Sequence, residues 1–207
     1  MKKFVAGIAT ATVVVSLLAS TAFAAVSTAP GQDKLLCFSG TTDGITYGGT
    51  CTLKGNGAKG PAVLSNTSSD PDGDYSGVYI QSSTLNGQLL SNVAQLGYTY
   101  SGTVTPTPGD LSLNVPLNLT GGTTTDAYAF IDAYYCPGTA GKVDVIHDSN
   151  CGIWVNGVEY ANWAALVTAY PTATVSSDLA FIVAERTPSE PAATWTVSGV
   201  TLGKPGK

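Results

Sequence analysis

The chain has 207 residues, of which 11% are charged, with 14 acidic against 9 basic side chains and a formal charge of −5. So sparse and acidic a set lacks the clustered Lys and Arg that bind phosphates, which argues against nucleic acid as a partner. With 24 glycines and few charges, the polar surface has to come from Ser, Thr, Asn and Gly, which suits an exported all-β domain better than a helical cytosolic one.

The chain opens with Lys2 and Lys3, an apolar run, and small residues ending in Ala22-Phe23-Ala24. This is the pattern of a secretory signal cleaved after residue 24. Residues 25–34 are read as a mobile leader and 35–207 as one domain, which carries about −7 once the signal is gone. No later apolar stretch approaches the roughly 18 to 20 residues that span a bilayer, so a secreted product without a membrane span is expected. Four cysteines in such a chain predict two disulfides. Spacing favours Cys37 with Cys51 and Cys136 with Cys151, although two other connectivities satisfy the same count.

The segment "LLCFSGTTDGITYGGTCTL" (35–53) predicts a strand, a Gly-rich turn and a strand, stapled by its own cysteines. Residues 54–77 are rich in turn formers and read mostly as loop, with one short strand at Ala62 to Leu64. Leu96, Tyr98 and Tyr100 alternate as in a strand. Leu111, Leu113, Val115, Leu117 and Leu119 alternate with Ser112, Asn114, Pro116 and Asn118, the pattern of a half-buried strand whose other face meets water. Pro116 cannot donate to a ladder and so predicts an edge or a bulge. Asn156-Gly157, between "IWV" and "VEY", predicts a type I′ hairpin. In "NWAALVTAYP", Asn162 can cap a helix with Trp163, Leu166, Val167 and Tyr170 on one face, ended by Pro171. The strands "LAFIVAE" and "TWTVSGVTLG" follow, the second with room for a bulge at Ser198-Gly199. Short strands, one short helix and no βαβ alternation predict an all-β, two-sheet antiparallel sandwich.

The succession "YIQSSTLNGQLLSNVAQLGYTYSG", "LSLNVPLNL", "DAYAFIDAYYC" and "TWTVSGVTLG" resembles secreted bacterial jelly-roll domains of the concanavalin A-like lectin and glucanase type, over residues 75–203. That resemblance implies two curved sheets, a concave face toward glycans and, in some members, a structural calcium ion. Fold alone does not carry an activity with it.

"DAYAFIDAYYC" (126–136) holds the candidate chemistry. One set of alternate positions is Ala127, Ala129, Ile131, Ala133 and Tyr135; the other is Tyr128, Phe130, Asp132 and Tyr134. Facing outward, the second set would be a glycan platform, with rings stacking on the apolar faces of sugars and a carboxylate accepting from hydroxyls, joined by Tyr98 and Tyr100. The commoner arrangement puts the bulky set in the core with the alanines beneath a crossing layer, and then Asp132 needs a buried partner. "DPDGD" places Asp70, Asp72 and Asp74 as in the start of a calcium loop, with Asp144 and Asp148 as a weaker pair. A solvated acidic loop is the more frequent meaning of such a cluster.

A glycosidase needs two carboxyls flanking the scissile bond, and the Glu-x-Asp-x-Glu of the related glucanases is missing. There is no G-x-S-x-G, and His147, the single histidine, is expected at the surface. Core packing is expected for Trp154, Trp163 and Trp195. The sequence therefore points to a non-catalytic binder of extracellular or cell-wall carbohydrate; the alternatives are an exported structural or adhesion protein and, behind it, a carbohydrate-active enzyme.

Overall fold

The structure, a computed structural model, describes residues 34–39, 41–42, 45–46, 48–55, 60–67, 74–82, 85–187 and 190–203. Residues 1–33, which hold the expected signal and all of the expected leader but Lys34, lie outside the described residues, as do Asp70 and Asp72; Lys34 begins β1 rather than ending a mobile leader.

The strands in chain order are β1 (Lys34–Ser39), β2 (Thr41–Thr42), β3 (Ile45–Thr46), β4 (Thr50–Leu53), β5 (Ala62–Asn66), β6 (Asp74–Gln81), β7 (Gln95–Gly102), β8 (Leu111–Asn118) and β9 (Ala127–Asp132). They continue with β10 (Lys142–Asp144), β11 (Ile153–Val155), β12 (Val158–Tyr160), β13 (Thr174–Val175), β14 (Ala180–Arg186) and β15 (Ala193–Gly203); helix α1 (Trp163–Ala169) lies between β12 and β13. A large antiparallel sheet runs β1-β6-β14-β8-β9-β11-β12, with β13 also on β8, and a smaller one runs β10-β7-β15-β5-β4. The expected two-sheet β-sandwich is the fold formed.

The core is aliphatic on the side of the large sheet. Val78, Ile80, Ile182, Leu111, Leu113, Val115, Leu117, Ala129, Ile131 and Ile153 all point inward and are buried. The small sheet supplies the bulk, because its Trp195 and Tyr98 are the largest fully buried side chains. Asn66 is a polar link between the sheets. It donates to the carbonyls of Asp74 (3.1 Å) and Ala184 (2.8 Å) and accepts from Ser76 Oγ (2.7 Å), so its burial leaves no polar group unpaired.

Both favoured disulfides are present. Cys37 and Cys51 do not staple a simple hairpin: β1 edges the large sheet and β4 the small one, so this bridge ties the two sheets together. Each closes a loop of about 15 residues, worth about 3 kcal/mol through the unfolded chain. The Asn156-Gly157 turn has the two positive φ angles of a type I′ hairpin, 50° and 78°. Asn162 caps α1 by accepting from Ala165 N at 3.0 Å, and the bulge in β15 falls between Ser198 and Thr201.

Three local expectations need correction. The stretch 54–77 is not loop to its end, since β6 begins at Asp74, where the Tyr75-Gly77-Tyr79 alternation starts. β8 is not half-wet but buried at every position. Pro116 sits in the middle of the large sheet, neither at an edge nor in a bulge: β14 pairs β8 only as far as Asn114 and β13 takes over at Leu117, so the residue without an N–H falls in the gap.

Candidate functional site

Strand alternation decides which side chains the outer face of the large sheet carries. On β9 the inner set is Ala127, Ala129 and Ile131, all buried, and the outer set is Tyr128, Phe130 and Asp132. The commoner arrangement, rings inside, is therefore not the one formed. Antiparallel partners share a face, so the register extends this set sideways. Phe130 is opposite Asn114 on β8 and Trp154 on β11. Asn114 is opposite Phe181 on β14, and Phe181 is opposite Tyr79 on β6.

The rings fall into two groups, and a strip of polar residues runs along β8 and β14 beside them, crossed at one end by the Tyr128–Phe181 contact. On one side Phe38 lies 4.6 Å from Tyr79, while Phe181 meets Tyr79 at 6.0 Å and Tyr128 at 5.9 Å, both edge to face. A Cβ at Gly77 would come within 2.4 Å of the Phe38 ring and of the Ile182 carbonyl oxygen, so the missing side chain is what lets the ring lie down on β6. On the other side Trp154 holds Tyr135 at 4.6 Å, and Tyr135 holds Tyr134 at 4.9 Å. These spacings match the tilted and T-shaped contacts that aromatic quadrupoles prefer.

The strip is Ser112 and Asn114 of β8 with Glu185 of β14. Ser112 and Asn114 are buried although they face away from the core: Asn114 lies between Phe130 and Phe181 and Ser112 between Asp132 and Val183, and these flanking side chains rise above a recessed strip, a trough. Asn114 Nδ2 donates to Ser112 Oγ at 3.1 Å. Among the described residues neither Asn114 Oδ1 nor the Glu185 carboxylate has a hydrogen-bond partner. Water reaches Glu185, but its crowded surroundings raise its carboxyl pKa, and neighbouring Asp132 adds to the rise. Lys34, at the sheet edge, is the only cation in these outward rows among the described residues.

Asp132, unlike Tyr128 and Phe130 on the same face of β9, is only 1% exposed. Its carboxylate turns into the backbone, accepting from Gly109 N at 2.5 Å and from Tyr134 N at 2.8 Å, the second bond capping a short 3-10 turn over Ala133–Tyr135. Burial pushes its pKa up to about 6, against the two N–H donors that pull it down, and Asp110 adds to the rise. Gly109 belongs to a tight turn: Asp110 accepts from Thr107 N and Thr107 Oγ at 2.6 and 2.9 Å and pairs with buried Arg186 at 3.3 Å. Arg186 in turn lies 5.0 Å over the Trp195 ring and 3.6 Å from Glu190.

The other candidate residues are placed elsewhere. Tyr98 is sealed in the core of the small sheet, its hydroxyl 3.5 Å from the Leu111 carbonyl, and partly buried Tyr100 packs against that core; neither joins the trough. Of the three calcium-loop aspartates only Asp74 is described; it is buried and accepts from Gly48 N (2.9 Å), Thr67 N (2.7 Å) and the Thr67 hydroxyl, as an anchor at the start of β6. Asp144 bonds Lys142 and His147, each at 2.8 Å, and Asp148 bonds the backbone of Gly138 and Asn150. Among the described residues no three His, Cys, Asp or Glu side chains converge as a metal site. Trp163 and Trp195 are buried as expected, whereas Trp154 faces outward. His147 is at the surface.

Phe38, Tyr79, Phe181 and Glu185 have no place among the sequence-based site residues, while Asn114 is expected only as a water-facing residue and Trp154 as core; yet a signal for two of the first four is present. In "LAFIVAE" the positions Ala180, Ile182 and Ala184 alternate with Phe181, Val183 and Glu185. This repeats the pattern of "AYAFID", with small or aliphatic residues inward and rings and an acid outward.

No protein-family model, curated protein or solved structure matches the chain. Among the described residues no helix is long and apolar enough to cross a membrane.

Proposed function

We propose that the chain is a secreted, non-catalytic carbohydrate-binding domain whose ligand lies in the trough on the outer face of the large sheet. The observation that carries this reading is the inversion on β9 and β14: alanines and isoleucines fill the core while Tyr128, Phe130 and Phe181 stand outside. An outward run of aromatic rings needs an explanation, because a fold gains most from its largest apolar side chains when they are buried. Sugar rings offer apolar C–H faces to aromatic walls and hydroxyls to Asn114 and Glu185 on the floor. With Lys34 alone and at the margin, the face suits a neutral glycan better than an anionic one. Asp132 commits its oxygens to two backbone N–H groups, the chemistry of a cap rather than of an acid that protonates a leaving group, which supports binding without catalysis. The two disulfides accord with an extracellular address.

The test is a glycan array probed with the wild type and with a Tyr128→Ala, Tyr134→Ala double variant. Retention of neutral oligosaccharides by the wild type, lost in a variant that still unfolds cooperatively, is the expected result. No retention by the wild type, or equal retention by both, overturns the reading.

A second reading, an exported structural or adhesion protein, is favoured by one feature: the rings pack on each other and are half-buried, as suits a face that docks another surface. Concentration-dependent association in sedimentation velocity, abolished by Phe130→Ser and accompanied by no glycan binding, would select it.

A further inference from the structure

The ring pair Tyr134–Tyr135 forms one wall of the trough, but it is carried by a short 3-10 turn and not by a strand. Tyr134 is half exposed and Tyr135 nearly so. What fixes the turn from below is Asp132, through Tyr134 N, and the same carboxylate grips Gly109 N of the Thr107–Asp110 turn. The latter turn is itself fastened to the sandwich by the Asp110–Arg186 pair and by Arg186 on Trp195. On its far side the turn is held to the β11 end by Gly152 N, which donates to the Tyr135 carbonyl at 3.0 Å, by the Cys136–Cys151 bridge and by Tyr135 on Trp154; on the Tyr134 side Asp132 is the one side chain that joins it to the Thr107–Asp110 turn. We infer that Asp132 is a positioning residue of this site: it does not touch the ligand but ties the Tyr134 end of the wall to the Thr107–Asp110 turn, and only its ionised form holds both ties.

The chemistry is one of acceptor count. An ionised carboxylate offers lone pairs on two oxygens, one to each N–H. Protonation turns one oxygen into an O–H donor, and the N–H that faces it loses its partner. One clamp is released, the turn gains freedom, and a ligand that must order it binds more weakly. Acidification therefore lowers affinity for the glycan, an effect that rests on the function proposed above. The groups surrounding Asp132 are Asp110 from the neighbouring turn, Glu185 from β14, Tyr98 and Tyr100 from β7, and Tyr134 itself. They move the midpoint of the transition but supply no acceptor to either N–H. His147 bonds Asp144 and has no part in the clamp.

Two measurements on the full chain test this. The amide resonances of Gly109 and Tyr134 are followed by NMR from pH 7.5 to 5.0 without ligand, and cellohexaose, an uncharged probe with no titration of its own, is bound at both ends of that range. The two amides should move together with one midpoint near 6, and cellohexaose affinity should fall by about threefold or more toward pH 5.0. In Asp132→Asn, which offers one acceptor oxygen at any pH, both responses should be flat and the affinity low throughout, whereas His147→Gln should behave as wild type. Amides that fail to titrate together, or an affinity equal at both pH values, overturn the inference. Absence of cellohexaose binding at both pH values counts against the glycan reading, and the wild-type amide titration, which needs no variant, then decides the inference alone.

Discussion

The two faces of β9 invert the usual allocation of side chains. Inward it offers Ala127, Ala129 and Ile131, outward Tyr128 and Phe130, so the smaller apolar groups occupy the core and the larger ones the surface. On the inner face these residues join one buried cluster with bulkier side chains of the small sheet, Trp195 and Tyr98 among them. The outer face tolerates it because the rings shield one another and the strip of β8 beneath them. Inner packing is continuous and closed, whereas the outer face ends in an open trough with Asn114 Oδ1 and Glu185 unpaired among the described residues. The closed side holds the core, and the open side is where the proposed recognition would take place.

The contrast can be broken by single substitutions. Ile131→Ala, on the closed face, is expected to cost about 3 kcal/mol in urea unfolding, and Phe130→Ala, one residue away but half-exposed, no more than about half of that. Equal losses would mean that both faces are core.

Acidity sharpens the comparison further, with an effect of up to about 3 kcal/mol. Asp132 is held by burial near pKa 6 in the folded chain against about 4 unfolded. A carboxyl raised by folding contributes its stability fully below the unfolded value, and loses it as pH climbs through the folded one. Asp110 and Glu185 are raised by burial as well and act in the same direction. The melting temperature should therefore increase on going from pH 7.5 to about 4.5, and Asp132→Asn should flatten most of that slope. A protein that becomes more stable on acidification while binding its ligand less well is a combination that general acid damage does not produce.

Exposed Tyr134 provides the smallest effect on stability. Tyr134→Ala should lower it by less than about 1 kcal/mol, while weakening the proposed glycan binding.

Much of this architecture was legible because it depends on local chemistry. The Asn156-Gly157 turn needs residues that accept positive φ, Asn162 is a cap, and the leucines of β8 keep a strict period of two. Alternation also split "AYAFID" correctly into two sets. It could not say which set faces in, because that depends on the volume available across the sandwich, which is set by side chains far away in sequence. For the same reason β8 was read as half-wet: Ser112 and Asn114 are polar, and what covers them comes from β9 and β14. Asp132 was recognised as the residue on which the choice turned, and it did find buried donors. Those donors are backbone N–H groups of Gly109 and Tyr134, and no side-chain pattern marks them.

Hydroxyl-radical footprinting of the aromatic side chains addresses the central claim without assuming any ligand. In the free protein, Tyr128, Phe130, Tyr134 and Trp154 should be oxidised readily while Tyr98 and Trp195 stay protected, and an added neutral oligosaccharide should then protect the first group. Tyr128 and Phe130 as unreactive as Tyr98 would contradict the account at its root.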